Sequence, residues 1–182
     1  MPKLRFITPK TILDLLLAAV LCAALAPRAN AVADAGPCAK NPETQQLDFW
    51  LGDWAISTPG AGPSASSKVY RALGGCEVVE SWDGADGHKG ENRFAWSADD
   101  QTWHGMFADN QGRVHLFLNG KVAAGSAEFT GPSSGPAGAT VLNRITILRK
   151  GTGQAEQIWQ KSSDNGATWT TQFRLEYTRK KS

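Results

Sequence analysis

Cysteine, histidine and net charge are all scarce in this sequence of 182 residues. It contains three cysteines and three histidines, and its basic residues exceed its acidic residues by only two. The basic surplus lies within the first 31 residues, because the remainder carries 15 basic and 16 acidic side chains. A nearly neutral body of this kind gives no electrostatic basis for binding nucleic acid or an anionic membrane. The sequence therefore predicts no nucleic-acid partner.

Several motifs of metal sites and catalytic sites are also missing. The chain has no Cys-x-x-Cys, His-x-His or His-Glu-x-x-His spacing, so neither structural zinc, a redox dithiol nor a zinc hydrolase is indicated. It has no Gly-x-Ser-x-Gly element, which would present a serine nucleophile. These absences favour a protein without catalytic residues, a metal or a cofactor.

A long apolar run occurs only at the N terminus. Residues 12–26 are almost wholly apolar, follow the basic residues Lys3, Arg5 and Lys10, and precede the small-x-small sequence at 29–31. This order predicts a cleaved signal peptide over 1–31 and a single mature domain over 32–182. The run is shorter than the roughly 20 residues that a membrane span needs, so we expect no stable membrane anchor after cleavage. The expected location is the periplasm or the extracellular space.

The cysteine positions agree with export. Cys22 lies within the predicted signal peptide, which leaves Cys38 and Cys76 in the mature chain. Two cysteines in an oxidising compartment usually pair, and a bridge between these two should stabilise the fold by about 3–4 kcal/mol. The alternative is two free thiols.

After a short helix over 41–47, the chain changes to short runs rich in Val, Ile, Thr, Phe and Trp that are separated by Gly, Asn, Asp and Ser. The last run alternates apolar and polar residues, which indicates a strand with one packed face. No helix-length segment separates the runs, so a βαβ architecture is excluded. An extended meander must close or stack to protect its edges, and we expect a barrel. The predicted strands lie near 54–57, 67–73, 76–82, 91–97, 102–108, 113–119, 126–130, 140–149, 156–161 and 168–179.

The turn at 109–112 admits two registers. A four-residue turn pairs His115 with Met106 and places it on the face of His104, whereas a three-residue turn pairs it with Phe107 on the opposite face. In the first register, His104, Met106 and His115 form a face on which one histidine could ligate haem iron, as in nitrobindin-like barrels. The alternative is that both histidines make ordinary hydrogen bonds.

The stretch from Phe49 to Trp54 resembles the Gly-x-Trp signature of lipocalins and related calycin barrels. In those barrels glycine permits a tight entry into the first strand, and tryptophan closes one end beneath an arginine of the last strand. The resemblance implies this closure by Gly52 and Trp54 with Arg174 or Arg179.

The resemblance extends along most of the mature chain. Together with the stretches at 74–76, 80–82, 103–104, 109–110, 162–169 and 177–179, the FWLGxW motif is similar to an uncharacterised family of secreted bacterial proteins. That family implies an all-β, ten-stranded, antiparallel up-and-down barrel of calycin or lipocalin type with a short N-terminal helix. It carries no activity that could be transferred.

Residues 162–169 also resemble the Asp-box of sialidases and related propellers, a hairpin turn in which an aspartate binds nearby backbone amides. A six-bladed propeller needs several copies and a far longer chain, whereas one full copy is present here. The resemblance therefore implies a structural turn and not sialidase activity.

All seven tryptophans lie in the mature chain. Trp50, Trp54 and Trp169 are expected to close the barrel, and the mid-strand tryptophans to line a pocket for a planar or apolar ligand. The alternative is that these rings fill a dry core. The expected ligand-binding residues are Glu80, Trp82, Trp96, Trp103, His104, Met106, His115, Arg144 and Trp159.

These observations predict an exported barrel that binds a small apolar or amphipathic molecule without catalysis. One alternative is a periplasmic isomerase or hydrolase in which Glu80, His104 and Arg144 converge on a substrate. The others are the haem-binding barrel and a structural module with a solid core.

Overall fold

Ten antiparallel strands pair in sequence order, and the first pairs with the last to close a barrel. This computed structural model describes residues 36–181, so the predicted signal peptide over 1–31 lies outside the described residues. The predicted ten-stranded up-and-down barrel of calycin type is confirmed. The strands are β1 (Gly52–Ser57), β2 (Ala65–Ala72), β3 (Glu77–Gly84), β4 (Lys89–Ser97), β5 (Thr102–Asp109), β6 (Val114–Ala123), β7 (Ser126–Ser134), β8 (Thr140–Gly151), β9 (Gln154–Ser162) and β10 (Thr170–Arg179).

From residue 36 to the start of β1, the described chain forms three short 3₁₀ helices, Pro37–Lys40, Pro42–Gln45 and Asp48–Trp50, where the sequence predicted one helix over 41–47. Each has only three or four residues, and the first two begin at a proline, which lacks the amide that would continue a preceding helix. The predicted disulfide between Cys38 and Cys76 is present and ties this segment to the start of β3.

One end of the barrel is closed around Trp54. Its indole Nε1 donates a hydrogen bond to the Trp50 carbonyl at 2.8 Å, and the Arg179 guanidinium lies 4.5 Å from its ring centroid. Gly52 has a φ of 135°, and a Cβ there would collide with that guanidinium. Arg179 therefore covers the tryptophan, whereas Arg174 pairs with a carboxylate on β9 and takes no part in the closure.

Paired aromatic rings fill the barrel beside this closure. Phe94 and Phe129 are fully buried and stack with ring centroids 4.1 Å apart. A Cβ at Gly105 would lie 2.7 Å from Phe94, and one at Gly120 would lie 2.7 Å from Phe129. The two glycines thus make room for the stacked rings, which leave the closed half of the barrel solid.

The β9–β10 loop forms the turn that the Asp-box resemblance implied. Asp164 accepts hydrogen bonds from the Thr168 amide at 2.9 Å and from the Ser162 hydroxyl at 2.7 Å. Trp169 follows this turn at the start of β10, and Arg144 lies 4.0 Å over its ring. The expectation that Trp169 closes the barrel is wrong, because Trp54 and Arg179 close it at the other end of β10.

Candidate functional site

The half of the barrel opposite Trp54 contains a cavity of about 570 Å³. Its lining residues come from β3, β4, β5, β6, β9 and β10 and from the turns beside them. Aromatic and leucine side chains form its wall, and amides with one carboxyl form its floor. Cationic and polar side chains surround its mouth. The wall contains Trp82, Phe107, Trp159, Phe173 and Leu175; the floor contains Glu80, Asn92 and Gln157; the mouth contains His88, Gln111, Arg113, His115, Lys161 and Gln172.

Glu80 is the centre of a hydrogen-bond network at the floor, and only 1% of it is exposed. Asn92 Nδ2 donates to Glu80 Oε2 at 2.8 Å, and the Tyr177 hydroxyl donates to Oε1 at 2.9 Å. Gln157 Nε2 makes a longer contact with Oε2 at 3.4 Å. Four strands, β3, β4, β9 and β10, therefore bring their polar side chains to one carboxyl group.

Burial dominates the ionisation of this network. It raises the pKa of Glu80 above its ordinary value, although the hydrogen bonds from Asn92 and Tyr177 act in the opposite direction. Burial and the neighbouring Glu80 also raise the pKa of Tyr177 well above its usual value. The phenol therefore keeps its proton and donates it to the carboxyl group in a hydrogen bond.

Trp159 is the centre of the aromatic wall. Its ring centroid lies 5.4 Å from that of Phe107, 5.0 Å from that of His115 and 5.6 Å from that of Phe173. Its indole Nε1 donates to Asn143 Oδ1 at 3.1 Å, which fixes the orientation of the ring. Such edge-to-face and tilted contacts produce a rigid wall, so the apolar surface for a ligand is formed in advance.

Asp109 organises one side of the mouth. Its carboxylate accepts hydrogen bonds from the Arg113 side chain at 2.6 Å and from the backbone amides of Gln111 and Arg113 at 3.0 and 2.9 Å. His88 Nε2 lies 3.0 Å from the same carboxylate. Burial acts to raise the pKa of Asp109, yet these bonds together hold that pKa well below its usual range. Both oxygens of the Asp109 carboxylate therefore already have hydrogen-bond partners within the protein.

The mouth also carries a cation that has no carboxylate partner among the described residues. Lys161 is exposed and makes no ion pair within the part of the chain that the structure describes. Burial lowers the pKa of His115, and the like charges of Lys161 and Arg113 lower it further. The charges of Lys161 and Arg113 therefore make the part of the cavity beside His115 electrostatically positive.

The structure brings four of the nine predicted ligand-binding residues to the cavity: Glu80, Trp82, His115 and Trp159. Trp103 is fully buried outside the cavity, and Trp96 contacts it with ring centroids 6.0 Å apart. Both adjoin the β4–β5 turn at the closed end, where they pack into the core. They therefore fill the solid half of the barrel and do not line the space for a ligand.

The remaining three predicted residues lie on the outer face of the barrel. His115 pairs with Phe107, as in the three-residue turn, so His104 and Met106 face away from it. His104 Nε2 lies 2.8 Å from an Asp100 carboxylate oxygen. The haem face expected from the longer turn therefore does not form.

Arg144 also points outward, because it stands between the inward-facing Asn143 and Ile145 on β8. It donates two hydrogen bonds to Gln160 and stacks on a tryptophan of the β9–β10 loop. The structure consequently does not bring Glu80, His104 and Arg144 together, as the enzyme alternative required.

Sequence reasoning missed the amides and the cations of the site. Asn92 and Gln157 each occupy an inward position between apolar or small neighbours two residues away, and that pattern is a usable signal for a buried polar group. Lys161 likewise continues the inward alternation of Gln157 and Trp159. Tyr177 lies on the apolar side of the alternating last strand, but its partner Glu80 is 97 residues away in sequence.

No family model and no curated protein matches this sequence. Within residues 36–181, no helix is long and apolar enough to cross a membrane. Nor does that range contain a cluster of three His, Cys, Asp or Glu side chains that could hold a metal ion. The cavity, with its aromatic wall, polar floor and cationic mouth, is therefore the feature on which a functional conclusion depends.

Proposed function

We propose that this protein is an exported barrel that binds a small, partly apolar molecule in its cavity without altering it chemically. The observation that carries the proposal is the cavity of about 570 Å³. Small-molecule sites usually measure about 300–1,000 Å³ and combine apolar walls with a few placed polar groups. The aromatic wall and the hydrogen-bonded floor meet this description, and the packed half of the barrel lies below that floor.

Export is part of the same proposal. The Cys38–Cys76 disulfide is compatible with an oxidising compartment, where such bonds persist. The apolar run and small-x-small sequence before residue 32 have the features of a secretory signal. Membership of the secreted FWLGxW family, suggested by residues 49–54, remains an accompanying proposal.

The chemistry of the lining favours binding over catalysis. The described residues that line the cavity include no serine, threonine or cysteine that could act as a nucleophile. The Glu80 carboxyl is held by Asn92 and Tyr177, which reduces its freedom to reach a substrate. What the cavity offers an entering molecule is chiefly the indole and phenyl surface around Trp159.

A neutral fluorescent probe tests the proposal. N-phenyl-1-naphthylamine brightens in apolar surroundings, so saturable binding should appear as an emission increase with a defined Kd. Leu175→Trp enlarges a side chain of the cavity wall and should raise that Kd about fivefold or more, because overpacking costs about 1–3 kcal/mol. Leu118→Trp makes the same change on the outer face, where Leu118 is 51% exposed, and should leave the Kd unchanged.

Native mass spectrometry of the protein purified from its own compartment provides a second readout, since a retained ligand adds mass. Absence of saturable probe binding, or equal losses in Leu175→Trp and Leu118→Trp, would show that the cavity is not a binding site.

A further inference from the structure

The charges that line the cavity differ between its mouth and its floor. At the mouth, Lys161 continues the inward-facing series of Gln157 and Trp159 on β9. Its cross-strand partners, Asn143 on β8 and Thr170 on β10, are uncharged. No carboxylate of the described residues forms an ion pair with it. A lysine in this position places an uncompensated positive charge beside the entrance.

Arg113 adds hydrogen-bond donors to the same entrance. Its Nε binds Asp109 and its Nη2 lies 2.9 Å from His88 Nε2, whereas no partner within residues 36–181 accepts from Nη1. The Asp109 side chain has no exposed surface, so it fixes the guanidinium without facing an incoming molecule. The entrance therefore presents an oriented guanidinium and a free ammonium group.

The floor would repel an acid. Among the described residues, Glu80 supplies the single carboxyl group that lines the cavity, and it already accepts hydrogen bonds from Asn92 and Tyr177. A second carboxyl group placed there would face a like charge unless one of the two acids held a proton, and the floor is shielded from the water that would screen that charge. An anionic group on a ligand is consequently stable at the mouth and unstable at the floor.

The aromatic wall lies between these two regions. It surrounds Trp159 and is continuous from the floor to Phe173, which is 40% exposed at the mouth. An apolar body of a ligand fits against this wall, and an acid group at one end of that body reaches the cations. These features together define both the chemical class of the ligand and its direction of entry.

We propose that the ligand is an amphipathic organic anion, with its acid group bound by Lys161 and Arg113 at the mouth and its apolar body against the wall formed around Trp159. This inference rests on the proposed binding function of the cavity, which it makes specific. Direct contact with the guanidinium and ammonium groups supplies charge-assisted hydrogen bonds to the acid. The apolar body supplies the burial that retains the ligand.

Three probes with one naphthalene body and different head groups test the inference: 2-naphthoate, its methyl ester and 2-naphthylmethylammonium. Each is titrated against the full mature chain loaded with N-phenyl-1-naphthylamine, and displacement gives its Kd. We expect the acid to bind about fivefold more tightly than the ester, and the ammonium compound to bind most weakly. The advantage of the acid should shrink at high salt, because the mouth is open to solvent.

Lys161→Gln removes the uncompensated charge and should reduce the ratio of ester Kd to acid Kd to about one to two. Lys68→Gln is the matched control, because Lys68 is an exposed lysine on the outer face of β2 and lies outside the cavity. It should leave the ratio unchanged.

The outcomes separate the two proposals. Equal binding of acid and ester, a preference for the ammonium compound, or a ratio that Lys161→Gln leaves intact would overturn the anionic ligand while the cavity still binds the neutral probe. Failure of 2-naphthoate to displace bound N-phenyl-1-naphthylamine would also overturn the anionic ligand. Failure of N-phenyl-1-naphthylamine itself to bind refutes the binding function instead.

Discussion

Replacing Glu80 by glutamine should change how the stability of the barrel depends on pH. Glutamine has nearly the same shape as glutamate and carries no titratable group. Its carbonyl oxygen can accept the hydrogen bond from Tyr177, and its new amide needs an acceptor. Asn92 Oδ1 is buried and accepts no hydrogen bond from residues 36–181, so rotation of the Asn92 amide supplies that acceptor. The substitution thus removes the proton equilibrium while the floor remains hydrogen-bonded.

The sign of the effect follows from the pKa of Glu80, which burial raises above its ordinary value near 4.5. Between that value and the folded-state pKa, the folded protein holds more protons than the unfolded chain. The free energy of unfolding of the wild type therefore contains a contribution that is complete below pH 4.5 and is lost as the pH rises through the folded-state pKa. The steepest loss is about 1.4 kcal/mol per pH unit.

The E80Q variant lacks this contribution, so its stability minus that of the wild type should increase from pH 4.5 upward and then level off. Subtracting the two free energies removes the contribution of every other titrating group that the substitution leaves undisturbed. Urea unfolding curves followed by tryptophan emission at half-unit intervals from pH 4 to pH 8 give the two free energies. Circular dichroism establishes that the variant retains the barrel.

The matched control is Glu176→Gln, which makes the same change on the outer, exposed side of β10 and leaves the cavity floor untouched. A difference between E80Q and the wild type that stays constant over this range would refute the reasoning. A difference that declines as the pH rises would show that the hydrogen bonds from Asn92 and Tyr177 outweigh burial.

Three further experiments test the framework around the site. Removing the disulfide with Cys38→Ser and Cys76→Ser should lower the free energy of unfolding by about 3–4 kcal/mol, since the cysteines have a sequence separation of 38. A reductant should lower the free energy of unfolding of the wild type by the same amount and leave that of the variant unchanged. Gly52→Ala should destabilise the barrel by about 1–3 kcal/mol through its positive φ, and adding Arg179→Ala should recover only the part due to steric overlap, as measured by urea unfolding. Hydrogen bonds within its turn lower the pKa of Asp164 to about 2. The wild type should therefore be more stable than Asp164→Ala at neutral pH, and this difference in the free energy of unfolding should vanish as the pH falls from about 4 toward 2. A difference that stays constant over that range would contradict the prediction.

The barrel could be predicted from the sequence because its signals are local. Alternation of apolar and polar residues identifies a strand, and glycine or asparagine at a turn identifies a hairpin, without knowledge of distant contacts. The register of the 109–112 turn is different, since a change of one residue exchanges the two faces of a strand. Both turn lengths suit the same residues, so the sequence left the position of His115 relative to His104 open.

The outward position of Arg144 could have been predicted from the alternation of side chains along its strand. Ile145 and Ile147 face inward, and Arg144 directly precedes Ile145, so its side chain must point to the opposite face, because successive side chains of a strand alternate between faces. Its outward position follows from that rule. The rule does not predict the whole network at Glu80. Asn92 is the direct cross-strand partner of Glu80, but Gln157 and Tyr177 lie on β9 and β10, which come close to Glu80 only when β10 closes the barrel against β1. Their convergence is a property of the closed sheet and not of any segment.

The solid half of the barrel and the chemistry of the cavity are linked through one side chain. Phe94 lies two residues from Asn92 on β4, so the ring that stacks on Phe129 lies directly beyond the hydrogen-bonded floor. That apolar layer shields Glu80 from water on the closed side, and such shielding is what raises the pKa of a carboxyl group. The same layer limits how deeply a ligand can enter. The glycines that permit the stacking therefore help to set both the depth of the cavity and the charge that an entering molecule meets at its floor.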